Sequence, residues 1–354
     1  MKKNLLAAAV AGVLAMPGVA LAQYALGGVG VNVFGTFDGG VRHQTKAIVG
    51  TGEDSLRTVT DGLRTTNRWG IRGSEDLGGG LQTNFWLEGQ FDGGTGLNGT
   101  GLNFARRALV GLSGKAWHVD IGRDYTVNFK SQAVYDPMSF SYTGLTGNAG
   151  LNVAGTRSSN MVTGGFQFGT GGVRADYAMS EIIGDPFGSR MGLGAYYAFG
   201  PVTVVAALST MDTSTTTTQD TTNLGASAVF GPFTIRAGYS NTENDTGVSA
   251  TSQESPEMTL GVQWAASPQW NLRFGYYDVK YELGGTEVGD RQLMILAVDY
   301  VLSKRTTAYL AFDKNNFSGV GWDAAGVGTA NNAVLGVASR DGATGISIGI
   351  AHVF

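Results

Sequence analysis

The chain has 354 residues and a formal net charge of −4, with 56 glycines, seven prolines and no cysteine. Only 15% of residues are charged and 42% are hydrophobic, which excludes a disordered polymer, a collagen-like repeat and a disulfide scaffold. Without thiols there is no cysteine nucleophile or cysteine-rich zinc site, and three histidines, His43, His118 and His352, leave little for a histidine metal centre.

At the start of the chain, Lys2 and Lys3 precede an apolar run from Leu5 to Val19 and then Ala20-Leu21-Ala22. This is the layout of a secretory signal cut before Gln23, and the run is short for a spanning helix of ~20 residues. Residues 1–22 are thus expected to be removed, leaving 23–354 as one domain. Their loss takes two lysines, so the remainder carries 22 basic and 28 acidic residues, a net charge of −6. An exported acidic chain is not expected to neutralise phosphates, which argues against a nucleic-acid partner.

Beyond the signal no second helix-length apolar stretch occurs, so a membrane role must rest on strands. About sixteen segments alternate with period 2: 28–43, 65–77, 79–92, 103–114, 116–124, 157–168, 171–181, 189–199, 201–211, 222–230, 232–241, 256–266, 269–281, 290–302, 304–314 and 343–354. Every second joint is tight, as at Asp76 to Gly80, Ser113 to Ala116, Phe199-Gly200-Pro201 and Phe230-Gly231-Pro232. The other joints are long and polar, including 44–64, 125–156, 212–221, 242–255 and 315–342. One rim of short turns, one of long loops and an even strand number describe an all-β, sixteen-stranded antiparallel outer-membrane barrel. Aromatic residues at strand ends, such as Trp117, Phe199, Trp264, Trp270 and Tyr300, fit interfacial girdles, and outward apolar faces leave no conventional core to assemble.

Several runs carry a resemblance. Asn67-Arg68-Trp69-Gly70-Ile71-Arg72-Gly73-Ser74-Glu75-Asp76-Leu77-Gly78-Gly79-Gly80-Leu81 resembles the second strand and first turn of the general porins of β-proteobacteria, the neisserial type. Phe104-Ala105-Arg106-Arg107-Ala108-Leu109, Ile121-Gly122-Arg123-Asp124-Tyr125, Leu302-Ser303-Lys304-Arg305-Thr306 and the final Phe354 are similar to later signatures of that family. The resemblance implies a homotrimer of water-filled barrels in the outer membrane of a Gram-negative bacterium, each narrowed by an inward-folded third loop. Here that loop is 125–156, with Asp136-Pro137-Met138-Ser139-Phe140 at its middle.

Phase assigns the lumen. Asn32, Phe34, Thr36, Asp38, Gly40 and Arg42 form one inward row opposite Val31, Val33 and Phe37. Arg68 and Arg72 alternate with Trp69 and Ile71, and Arg107, Arg174, Arg236 and Arg273 likewise alternate with apolar neighbours. An arginine facing mid-membrane hydrocarbon costs roughly 2–4 kcal/mol, so these side chains are expected to point inward. The candidate lining set is Arg42, Arg68, Arg72, Arg107, Arg123, Arg174, Arg236 and Arg273, with the loop acid Asp136 opposing them in a transverse field. Some of these arginines could instead pair with Glu88 or Asp176.

Catalysis finds no support: His118 has Asp120 two residues on but no serine nucleophile beside it. Glu53, Asp54 and Asp61 match no calcium loop. The expected activity is passive diffusion of small hydrophilic solutes and ions, weakly favouring anions, without cofactor or chemistry. The rival is an adhesin or receptor whose long loops bind a partner and whose barrel is an anchor.

Overall fold

In hydrocarbon every backbone N–H and C=O must find a partner within the protein, and a sheet can do this only by closing on itself. The computed structural model of the chain describes residues 30–49, 52–98, 103–146, 155–183, 187–319, 321–322, 328–329, 332–334, 337–339 and 342–354. The expected signal at 1–22, the start of the first segment and residues 147–154 of the long loop lie outside them.

The strands are β1 (Gly30–Val49), β2 (Gly52–Asp61), β3 (Arg68–Gly78), β4 (Leu81–Gln90), β5 (Arg107–Ser113), β6 (Trp117–Tyr125), β7 (Arg157–Phe168), β8 (Gly171–Ala178) and β9 (Arg190–Phe199). They continue as β10 (Val202–Asp212), β11 (Thr218–Phe230), β12 (Phe233–Asp245), β13 (Gln253–Ala265), β14 (Trp270–Leu283), β15 (Thr286–Ser303), β16 (Thr306–Gly319) and β17 (Gly342–Val353). From β3 onward each pairs antiparallel with its neighbour in the chain, and β17 returns to β1 in register from Thr36↔Val353 to Gln44↔Gly345. The backbone of Phe354 completes the seam through reciprocal bonds of 3.0 Å with Gly35.

Among the described residues the seventeen strands of this sheet make sixteen staves because one stave is broken. The lower part of β1 pairs with β3, Gly30↔Ser74 to Thr36↔Arg68, and its upper part pairs with β2, Gly39↔Asp61 to Val49↔Gly52. The polar stretch 44–64, expected as an irregular loop, is therefore mostly a hairpin continuing the sheet. Residues 62–67 between β2 and β3 leave the wall as an elbow. The carboxylate of Asp38 accepts from the N–H groups of Arg64 (2.7 Å) and Thr65 (2.8 Å) and from the hydroxyl of Tyr309 (2.8 Å). Asn67 binds both backbone groups of Asp38 and the carboxylate of Asp61.

Alternation holds along the staves. Val31, Val33, Val41, Ile121, Leu193, Leu208 and Ile348 are exposed on the outer surface, whereas Thr36, Asp38, Arg42 and Gln44 of β1 are buried inside. The expected 103–114 strand starts only at Arg107, so Phe104 to Arg106 escape the alternating phase.

The long loop after β6 enters the barrel. Thr126 accepts from the Phe129 N–H and caps α1 (Val127–Tyr135), and a short turn α2 (Thr143–Thr146) follows. The loop lies against a glycine track on the inner wall. A β-carbon at Gly194 of β9 would strike Val127 and Ser131, one at Gly225 of β11 or Gly238 of β12 would strike the Tyr135 ring, and one at Gly261 of β13 would strike Pro137. Polar anchors fix the seat: Val127 N–H to Asp176, Asn128 to Ser209 (2.6 Å), Tyr135 hydroxyl to Asn223 (2.8 Å) and Arg273 to the Met138 carbonyl (3.2 Å). These contacts sustain left-handed backbone at Ser139, Phe140 and Tyr142, which non-glycine residues adopt only when their surroundings enforce it.

The expectation that no conventional core forms is corrected by what the loop builds. Leu63 of the elbow and Met138, Tyr142 and Leu145 of the loop pack against Tyr277, Leu293, Ile295, Ala297, Tyr309 and Ala311 of β14 to β16. The elbow and loop are also joined by backbone bonds, Tyr142 N–H to the Arg64 carbonyl (2.6 Å) and Gly144 N–H to the Leu63 carbonyl (3.1 Å). A small apolar core thus fills one side of the lumen.

Two outcomes follow from this packing. Gly225→Val should push Tyr135 and α1 off the wall at a cost of about 1–3 kcal/mol, lowering single-channel conductance while the barrel still folds. Asp313→Ala should strand the buried Arg42, which Asp313 holds bidentately at 2.5 and 2.8 Å, and cost about 3–5 kcal/mol, read as a lower thermal midpoint. Replacing Arg42 by Met and Asp313 by Leu together should recover most of that loss.

Candidate pore constriction

The loop and core occupy the β9 to β16 side, and a second group of charges lies along β3 to β7. Arg68 and Arg72 come from β3, Arg107 opens β5, Arg157 opens β7, Arg106 just precedes β5, and Lys130 faces them from α1. Arg72 lies over the rings of Phe34 (5.0 Å) and Trp86 (4.7 Å), and Arg107 over Trp86 (4.6 Å) and Tyr125 (4.7 Å). Cationic faces resting on ring faces are attracted by the ring quadrupole and lose little of their charge.

Two carboxylates stand among these cations. Glu88 pairs with Arg106 and accepts from the Trp86 indole (3.0 Å). Asp124 pairs with Arg107 (2.9 Å) and Lys130 (2.7 Å). Six cations against Glu88, Asp124 and the neighbouring Asp120 leave this wall with a surplus of three positive charges among the described residues. The glycine at 111 of β5 brings Asp120 of β6 close to the same wall, on its short-turn side.

The opposite side is balanced, with Arg64, Arg236 and Arg273 set against Asp38, Asp136 and Asp299. Arg64 and Arg273 share Asp299, at 3.0 Å from each Nε, and the Tyr142 hydroxyl donates to the same carboxylate at 2.7 Å. Asp136 is fully buried, accepting from the Tyr277 hydroxyl (2.8 Å) and the Phe140 N–H (2.5 Å). Arg236 lies behind the loop and donates to the Gln263 side-chain oxygen at 2.9 Å, an oxygen that also takes a bond from Arg273 at 3.2 Å.

The nine expected residues therefore separate. Arg68, Arg72 and Arg107 gather on the positive wall. Arg42, Arg236 and Arg273 point inward as their phase required, but the first and last are held in ion pairs with Asp313 and Asp299. Asp136 was expected to oppose the arginines across open lumen; its zero exposure places it at the rear of the loop, turned to the wall it anchors. Arg123 sits beside the bulge between Gly122 and Asp124 and binds the Ala105 carbonyl (2.6 Å) and Ser159 hydroxyl (2.9 Å). Arg174 lies over Tyr196 (4.6 Å) and reaches the Lys130 carbonyl (3.4 Å). Of the two acids expected as partners, Glu88 takes Arg106 and Asp176 takes Arg190 (3.5 Å). His118 faces inward across from Gly165, in the wall.

Phase alone missed Arg64, Arg106, Lys130 and Arg157. Arg106 has the wrong parity for its neighbour Arg107 and points inward only because the strand begins one residue later. Lys130 is on a helix inside a loop, and Arg64 is on the elbow. Arg157 was detectable as the first residue after the loop, directly opposite Tyr125.

A model of Gram-negative porins matches residues 6–320. Outer membrane porin protein 32 of Delftia acidovorans is 33% identical over 381 aligned residues, covering the whole of both chains. An outer membrane porin protein of Bordetella pertussis is 33% identical over 190 residues, 48% of each chain. Among solved structures, an anion-selective porin from Comamonas acidovorans aligns with a TM-score of 0.77 and 27% identity, covering 92% of this chain and all of that one. The trimer form of OmpT from Vibrio cholerae shares the fold, with a TM-score of 0.67 at 16% identity over 92% of this chain. Family match, full-length relative and closed barrel agree: the chain belongs to the Gram-negative porins, outer-membrane barrels through which small hydrophilic solutes and ions diffuse passively.

Proposed function

We propose that this channel favours anions, that selection occurs where the β3 to β7 wall faces the inserted loop, and that the barrels work as a homotrimer after loss of residues 1–22. The observation that carries the selectivity is the surplus of three positive charges on one side of a lumen whose other side is balanced. The net charge of the whole chain is negative, but ion passage responds to charge within a screening length of the path, about 8–10 Å at physiological salt. Acids such as Glu53, Asp54 and Glu282 lie toward the loop rim and count for little at the narrowest point. The anion-selective relative supports the same preference. Size and charge suffice as the selecting principle, with no chemistry and no cofactor required.

A unit charge about 5 Å from a permeating ion in water is worth about 0.8 kcal/mol, so reversing it changes the anion–cation difference by about 3.3 kcal/mol unscreened and by roughly half of that at physiological salt. Arg72→Glu is thus expected to move the anion-to-cation permeability ratio toward cations by up to about tenfold, read as the reversal potential under a salt gradient. Arg57→Glu, at an exposed position on β2, should change it far less. Equal effects from both would place charge sensing at the mouth and not at the arginine wall. The wild-type preference should also shrink as salt rises.

A further inference from the structure

The side chain at the centre of the cationic wall is an uncharged phenol. Tyr125 ends β6 and faces Arg157, the first residue of β7, across the root of the inserted loop. Its oxygen receives a hydrogen bond from Nη2 of Arg106 (2.5 Å) and another from Nη2 of Arg157 (2.9 Å). Its ring lies under the guanidinium groups of Arg157 (4.3 Å) and Arg107 (4.7 Å) and stacks on Phe129 of α1 at 4.6 Å and 10°. Phe129 in turn stacks on Phe140 at 4.3 Å and 8°, so the phenol is held from the loop side by two rings.

We infer that Tyr125 is a positioning residue for ion selection: its neutral oxygen fixes the Arg157 and Arg106 forks toward the lumen without cancelling their charge. A carboxylate at this place would orient the same donors and remove one positive charge from the wall. Arg106 already gives one face to Glu88, whereas Arg157 gives its Nη2 to the phenol. An arginine with no acceptor would spread over several rotamers and smear its field, because a long side chain is ordered only by a partner that offsets the rotamer entropy it loses. The neutral acceptor keeps both the place and the charge, and the ring stack ties that place to the loop that narrows the channel.

This deepens the anion-selective reading and rests on it, so the experiment separates the two. Reversal potentials and single-channel currents are recorded in a potassium chloride gradient for the wild type, Tyr125→Phe, Tyr125→Glu, Arg157→Lys and the Tyr125→Phe/Arg157→Gln pair with its Arg157→Gln parent. Tyr125→Phe keeps the stack on Phe129 and loses only the acceptor. It is expected to lower the anion-to-cation ratio about threefold, the worth of one ordinary hydrogen bond, in channels that still fold and insert. Tyr125→Glu should lower it further, and Arg157→Lys, which keeps the charge but not the fork, should match Tyr125→Phe. In the Arg157→Gln background the added Tyr125→Phe should have a smaller effect, that of Arg106 alone. A wild type without anion preference removes the underlying reading. An anion-selective wild type matched by an equally selective Tyr125→Phe overturns the role of Tyr125 alone, as does an undiminished Tyr125→Phe effect in the Arg157→Gln background. Should Tyr125→Phe yield no channels, an Arg157→Lys channel as selective as the wild type overturns it as well.

Discussion

The need to satisfy every backbone polar group inside hydrocarbon governs this molecule. A closed sheet meets it, and closure then dictates that one face of each strand sees lipid and the other the lumen. Apolar residues such as Val33, Ile121, Leu208 and Ile348 are spent on the outside. What remains for the inside is polar, charged or small, and the inside has to be furnished from those residues together with loops that fold back. The elbow at 62–67 and the loop after β6 are that furniture. They occupy one flank of the barrel.

Ion pairing inside the barrel divides along the same line. On the occupied flank arginines and acids match one another: Arg42 with Asp313, and Arg64 and Arg273 with Asp299. Buried charge without a partner is costly, so where the lumen is filled the charges must cancel. Along β3 to β7 aromatic rings of Phe34, Trp86 and Tyr125 support guanidinium faces without neutralising them. The ratio of acids to arginines thus sorts the two flanks where burial does not, since Arg107 is as buried as Arg42.

That sorting explains how far the sequence could be read. Period-2 alternation locates the staves and their inward rows because lipid enforces it residue by residue; Val31 to Arg42 behaves as the pattern requires. It fails where alternation stops. Arg106 lies one residue before its strand, Lys130 sits on a helix, and Arg123 is beside a bulge, so parity says nothing of their direction. Asp136 looked like a lumen charge because a loop acid is normally solvated, but Tyr277 and the Phe140 N–H turn it to the wall. The internal core did leave a trace: Leu293-Met294-Ile295-Leu296-Ala297-Val298 is apolar on both faces, the mark of a strand covered on both sides. The glycines of β9 to β14 likewise read as ordinary small wall residues until Tyr135 and Pro137 are seen resting on them.

The seam between β1 and β17 has a consequence for assembly. It joins Thr36 to Val353 and Gln44 to Gly345, segments about as far apart in the chain as its length allows. Every other stave pairs with a sequence neighbour, so local hairpins can form early, whereas the ring pays its loop-closure entropy in one late step. Until that step the sheet has two raw edges, and each is a template for any other strand it meets. A polypeptide of this topology cannot close as it emerges from the ribosome, and it must be kept from self-association until segment 342–353 is available to be paired.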